Sequence, residues 1–236
     1  MSVPTLLVTG ASGHLGRAVV RHLLDTLNID PARVIATSRK PEALADLAAQ
    51  GVTVRAADFD RPDTLAEAFR GADRLLLVST DALLEPGKRL VQHRAAVQAA
   101  VEARVKHVVY TSLPSPDTSH VSFAPDHLGT EQALAASGLG RTLLRNAWYA
   151  ENLAYALPSA LASGEWVTAA GAGGVAYIAR EDLALAAAVA LASDSSGNRT
   201  FTLTGTQALN VELQNLLNPE QKGKPQLQSA ARVFRV

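Results

Sequence analysis

Gly10, Gly13 and Gly16 recur at intervals of three in Val8-Thr9-Gly10-Ala11-Ser12-Gly13-His14-Leu15-Gly16-Arg17. Between an apolar run and a helical pattern, that spacing is the signature of a loop that cradles a dinucleotide. The first glycine permits a tight turn, the second lets backbone approach a pyrophosphate, and the third lets the helix pack closely on the strand. Backbone N–H groups at the helix start, around His14 and Leu15, and the helix dipole favour phosphate there. Ser12 offers a hydroxyl and Arg17 a charge. The alternative is a glycine turn with no ligand.

A dinucleotide without a 2′-phosphate calls for an Asp or Glu roughly 20 residues further on, to bind the ribose 2′-hydroxyl. This chain has Thr37-Ser38-Arg39-Lys40 at that place. A guanidinium suits a 2′-phosphate, so the expected cofactor is NADP(H) rather than NAD, with Arg39 as the selecting residue. The alternative is that Arg39 and Lys40 are a solvated pair before a helix. Asp58 and Phe59 follow the third strand, where an adenine would lie, and Ser79 ends the fourth; all three are expected to bind the cofactor. Asp60 is expected to cap a short helix.

Tyr-x-x-x-Lys, the acid/base pair of ordinary short-chain dehydrogenases, is missing. Four residues after Tyr110, Tyr149, Tyr155 and Tyr177 stand Pro114, Leu153, Ser159 and Glu181. Without a phenol whose proton affinity is lowered by lysine, reduction of alcohols and sugars and epimerisation are disfavoured. Hydride transfer to a quinone demands less, because charge moves to a phenolate-like oxygen and water can supply the proton. None of the six His stands with carboxylates at a metal-ligand spacing, so no metal is expected.

The elements that must position these groups alternate. Strands are expected at 3–9, 33–38, 52–56, 74–79, 106–111 and 141–145, with helices between them, including 85–104 with Leu90, Val97 and Val101 on its core face. That is the pattern of a doubly wound, Rossmann-type parallel sheet, an α/β fold. The Pro-, Ser- and Asp-rich stretch 112–125 is expected to be a loop, on the ligand side of such a sheet. His127 then begins a helix that ends at Gly138. Beyond Asn146 the alternation loosens into a helix over 149–162, a glycine turn at 171–174, a strand at 175–179, a helix at 181–192, a strand at 200–204 and a helix at 209–217. The domains expected are 1–147 for the cofactor and a small substrate lobe at 148–236, partly interleaved with the first.

With Gln92-His93-Arg94, Val109-Tyr110-Thr111-Ser112-Leu113, His127 through Thr130-Glu131 and Leu144-Arg145-Asn146-Ala147-Trp148-Tyr149-Ala150-Glu151-Asn152 added to the loops above, residues 3–205 resemble the NmrA-like atypical short-chain dehydrogenases. The likeness is greatest to their NADPH-dependent quinone oxidoreductases, which group with azo-dye and triphenylmethane reductases. The resemblance implies a flavin-free enzyme that passes hydride from NADPH to a quinone or similar acceptor, with Asn146, Trp148 and Tyr149 beside nicotinamide and substrate. Asn146 can bond a carboxamide or an acceptor oxygen, while Trp148 and Tyr149 offer flat faces; core packing is the alternative for Trp148. Asn146, Tyr149 and His127, the last as proton donor, are the catalytic candidates, though His127 also suits a partly exposed first turn. The same family includes redox sensors that bind NADP(H) and turn nothing over. Relatives that run on past this chain's end imply a more open substrate pocket here.

At 236 residues, 47% of them hydrophobic, the chain can bury a large core, and its 22 basic and 22 acidic side chains balance. Nucleic acid is therefore not an expected partner. There is no Cys, which excludes disulfides and thiolate chemistry and fits a reducing, cytoplasmic setting. Met1-Ser2-Val3-Pro4 has no basic n-region, so no secretory signal is expected. The apolar stretch 183–192 is half the roughly 20 residues a membrane span needs and is expected to be a buried helix. The partner expected is a small aromatic acceptor, with no membrane and with a homodimer allowed.

Overall fold

The computed structural model describes residues 3–163 and 173–210. Seven strands run parallel: β1 (Leu6–Val8), β2 (Val34–Ser38), β3 (Thr53–Ala56), β4 (Arg74–Leu77), β5 (His107–Ser112), β6 (Gly140–Asn146) and β8 (Arg199–Leu203). Their order across the sheet is β3-β2-β1-β4-β5-β6-β8. The chain winds outward from β1 to β3 and then crosses back to β4 beside β1, with Leu6 opposite both Val34 and Arg74. The Rossmann-type expectation is borne out, and β1 with β4 forms the switch point outside which such sheets bind ligands.

The helices that cover the sheet are α1 (His14–Arg21), α2 (Ala45–Ala49), α3 (Leu65–Phe69), α4 (Lys88–Glu102), α5 (Ala124–Ala136) and, but for its first residue, α7 (Arg180–Ala192), whereas α6 (Leu153–Ser163) belongs to the second of the two units described below. Strands covered on both faces read as continuous apolar runs, and Leu6, Leu7, Val8, Leu75, Leu76 and Leu77 are accordingly buried. Phe69 of α3 and Val97 of α4 close over Leu75, Leu77, Val108 and Tyr110 in one cluster. Gly138, at φ 79°, ends α5 in the left-handed conformation that favours glycine.

Several expected elements shift. The fourth strand begins on buried Arg74, whose guanidinium donates to the carbonyls of Ala190, Leu191 and Ser195 around the end of α7. It ends at Leu77, so Val78 and Ser79 lie in the following loop. The core face of α4 is polar in its first half, where Arg89, Gln92 and His93 are buried; further on Val97 is buried as expected, with Ala96, Ala99 and Ala100, while Leu90 is half-buried and Val101 exposed. Apolar periodicity missed this because polar side chains that hydrogen-bond one another can replace apolar packing. Leu209 and Asn210 form a strand, β9, antiparallel to β7 (Gly174–Val175), where a helix was expected. The remainder of that expected helix, and Gly171 and Ala172 of the expected turn, lie outside the described residues.

Two compact units emerge, one of residues 1–146 with 181–203 and one of 147–180 with 204–236. In the second, Ile178 donates to the Trp148 carbonyl and accepts from Ala150, and the Glu151 carboxylate accepts from the Arg180 amide. Among the described residues no helix is long and apolar enough to cross a membrane.

Candidate functional site

A cavity of about 240 Å³ opens at the switch point of the first unit. Gly10, Ser12, Gly13, Arg39, Asp58, Phe59 and Ser79 line it, as do Ser38, Asp60, Thr80, Asp81 and Gln92. Three separate loops, after β1, β2 and β3, thus meet the loop after β4.

Its glycines are held by backbone. Gly10 takes φ 61°, and its carbonyl accepts from the Gly13 amide at 2.9 Å while Ala11 donates to Thr37 of β2. A Cβ on Gly16 would overlap the Gly10 backbone, so this glycine is what allows α1 to pack at its start. A Cβ on Gly13 would stand 3.3 Å from the Gly10 carbonyl. Gly13 is the N-cap of α1 and supplies no side-chain cap, so the first turn presents backbone N–H groups. His14 is exposed and Leu15 buried; neither lines the cavity, and their place is this first turn.

Ser12 and Ser38 share a hydrogen bond of 2.8 Å, and Ser38 Oγ also accepts from the Lys40 amide. That pair fixes the loop carrying Arg39 against the glycine loop. Ser38 was missed by sequence reasoning, although it directly precedes Arg39. Arg17 does not contribute charge here: its guanidinium donates to Asp46 at 2.7 Å and to the Ala43 carbonyl. Asp58 Oδ1 accepts from the Asp60 amide, which turns the chain after β3. Asp60 is not a helix cap, for the following short helix has no side-chain cap bond. Its carboxylate accepts from Gln92 at 2.9 Å and lies 3.6 Å from Lys88, and these contacts hold it below the usual carboxylate range. Ser79 donates its amide to Thr111 Oγ1.

Asn146 ends β6 on the same edge of the sheet. It is 7% exposed, and its Oδ1 is buried without a hydrogen-bond partner among the described residues. A buried carbonyl left in that state is costly, so its position suits a ligand that brings an N–H donor. Beside it, Arg145 grips Glu131 of α5 with two bonds, at 2.7 and 3.0 Å, and Ser112 donates to the same carboxylate. These ties fix the end of β6. Trp148 is 46% exposed, which decides against core packing. In the same unit the Arg180 guanidinium lies over the Tyr149 ring, 5.5 Å from its centre.

His127 is buried rather than partly exposed in its first turn. Its Nδ1 bonds Tyr110 Oη at 2.8 Å and its Nε2 faces Arg89 Nη1 at 3.0 Å. Since a guanidinium only donates, Nε2 accepts and Nδ1 carries the proton. Burial, then the nearby Arg89 charge, lower its pKa to about 3. The ring is therefore neutral near pH 7 and is not an imidazolium acid. Among the described residues no group of three His, Asp or Glu could hold a metal ion.

The observed set fits a dinucleotide: a glycine cradle that Cβ atoms would fill, an exposed cation at the end of β2, and an unsatisfied carbonyl at the end of β6. Comparison with known proteins agrees. Residues 3–165 match the model of the NmrA-like family. Quinone oxidoreductase 2 of Escherichia coli K12 is 40% identical over 203 residues, which cover 86% of this chain and 69% of that protein. The structure of Citrobacter sp. triphenylmethane reductase complexed with NADP(H) superposes with a TM-score of 0.83 at 36% identity, covering 93% of this chain and 76% of that one. An NADPH complex of an Escherichia coli NADPH-dependent quinone oxidoreductase gives 0.83 at 39%, covering 92% and 75%.

Proposed function

The chain belongs to the NmrA-like family, and on that premise we propose that it is an NAD(P)H-dependent oxidoreductase that uses NADPH to reduce a quinone or a similar flat aromatic acceptor without a flavin. The observation that carries this reading is the cavity that joins the glycine loop to Arg39, with Asn146 at the same sheet edge. Bound NADPH supplies a hydride, and the acceptor takes that hydride and a proton to become the hydroquinone.

The loop from Gly10 to Gly16 cradles the pyrophosphate, which the backbone N–H groups of His14 and Leu15 in the first turn of α1 hold, with Ser12 fixing the loop. Arg39 pairs with the 2′-phosphate. Asp58 and Phe59 border the adenine, Ser79 borders the sugar on the nicotinamide side, and Asn146 Oδ1 accepts from the carboxamide. Trp148 and Tyr149, the next aromatic positions along the chain from Asn146, supply the surface for the acceptor. Solvent supplies the proton, and His127 acts through Tyr110 as a positional group. In this assignment residues 1–147 serve the cofactor and 148–236 the acceptor, in a cytoplasmic protein for which a homodimer is the assembly to test.

The test is the loss of NADPH absorbance with benzoquinone and naphthoquinone as acceptors, free of added flavin. Turnover supports the reading. Tight NADPH binding with no turnover across a broad acceptor panel overturns it in favour of a redox sensor.

A further inference from the structure

Behind the cavity lies a buried polar cluster in which the proposed chemistry gives no part to Gln92 or His93. Thr80, in the loop after β4, is bonded twice to neighbours on α4: its amide donates to His93 Nε2 at 3.0 Å and its hydroxyl donates to Gln92 Oε1 at 2.6 Å. Gln92 continues to Asp60 on the opposite wall. His93 is fully buried, and since Nε2 accepts an N–H, its proton is on Nδ1. That Nδ1–H reaches Thr130 Oγ1 at 2.9 Å, with Tyr110 Oη at 3.3 Å. Thr130 in turn donates to the Asp126 carbonyl one turn earlier in α5. Tyr110 also bonds His127, and His127 bonds Arg89. From Thr80 through His93 to Thr130 the directions are fixed at both ends, by the Thr80 N–H, which only donates, and the Asp126 carbonyl, which only accepts, so the imidazole is held in one tautomer.

We propose that Gln92 and His93 are positioning residues that set the Val78–Asp81 wall of the dinucleotide cavity, with His93 tying that wall to the buried Tyr110–Thr130–His127 cluster. The loop has no ladder partner beyond Leu77, so side chains take over the register that the sheet gives up. In this fourth wall Thr9 and Thr111 hold the amides of Val78 and Ser79, and α4 holds it further out, at Thr80. The inference rests on the reading of the cavity as the NADPH site.

Two substitutions separate the two ends of the imidazole. Gln in place of His93 puts an amide oxygen near Nε2 and keeps the acceptor for the Thr80 amide. Asn puts an amide nitrogen near Nδ1 and keeps the donor to Thr130 while abandoning Thr80. His93→Asn is expected to weaken NADPH binding about tenfold, because the half-buried Thr80 amide loses its partner and the wall its position, and His93→Gln to restore most of that affinity. A role confined to stability would lower the melting temperature of both and leave NADPH titrations of the folded variants alike; that result overturns the proposal. Amide exchange at Thr80 in the cofactor-free wild type needs no variant. Protection supports the proposal, and exchange at the rate of an open loop overturns it. Failure of the wild type to bind NADPH at all refutes the cofactor reading instead, and the exchange measurement then still decides whether His93 holds the wall.

Discussion

Acidifying the protein from pH 7.5 to 5.0 should remove much of its stability through the buried histidines. His93 is held at about 3 by burial, then by His127 and Arg89, and His127 at about 3 by burial and Arg89, against an ordinary value of 6.5. A native-state pKa below the unfolded one means that the unfolded chain takes up protons first. The stability these rings contribute is therefore present above about pH 6.5 and is lost as the pH falls from there towards 3. At pH 5.0 the loss is about 2 kcal/mol per histidine, about 4 kcal/mol for the pair. His107, lowered to about 4 by burial and then by Arg74, adds about 2 kcal/mol. Asp46, Asp60 and Asp73 are all lowered from 3.8 and so titrate mainly below this window. Urea unfolding at the two pH values reads the difference directly, and a total near 6 kcal/mol is a large share of a typical domain's stability. The double variant His93→Gln/His127→Gln should keep only the His107 part, about 2 kcal/mol, whatever its absolute stability. A wild-type loss below about 1 kcal/mol, or a double variant with the wild-type slope, would refute the assignment of both rings as buried and neutral.

At the glycine loop, Gly13→Val is expected to leave the fold intact and reduce NADPH binding at least a hundredfold, measured by titration, whereas Gly16→Val should fail to fold or melt far lower because its side chain meets the Gly10 backbone. Arg39→Asp should cost NADPH about 10- to 100-fold in affinity, the worth of a charged hydrogen bond, while NADH affinity holds or rises; equal losses for both would sink the 2′-phosphate assignment. Asn146→Ala removes the unsatisfied carbonyl, so the apoprotein should be little destabilised while kcat with a naphthoquinone drops about tenfold. An unchanged kcat would place the carboxamide elsewhere.

Local pattern alone located the glycine loop, its flanking strand and helix, and Arg39, because each depends on neighbours in the chain: a turn, a pyrophosphate cradle and a charge at the end of β2. Alternation of apolar runs likewise implied the parallel sheet, since a strand covered on both faces must be apolar throughout. What tertiary structure decided was where polar side chains turn. Arg17 went to Asp46, and Asp60 left its helix for Gln92, because partners distant in sequence offered better hydrogen bonds than the local ones. Gln92, His93, Tyr110 and His127 come from three different elements, and no spacing within any of them encodes their meeting. Likewise, the Asn at position 146 was visible as a residue type at the end of a strand, but its unsatisfied carbonyl exists only once the fold, with β8 paired beside it, has buried the side chain.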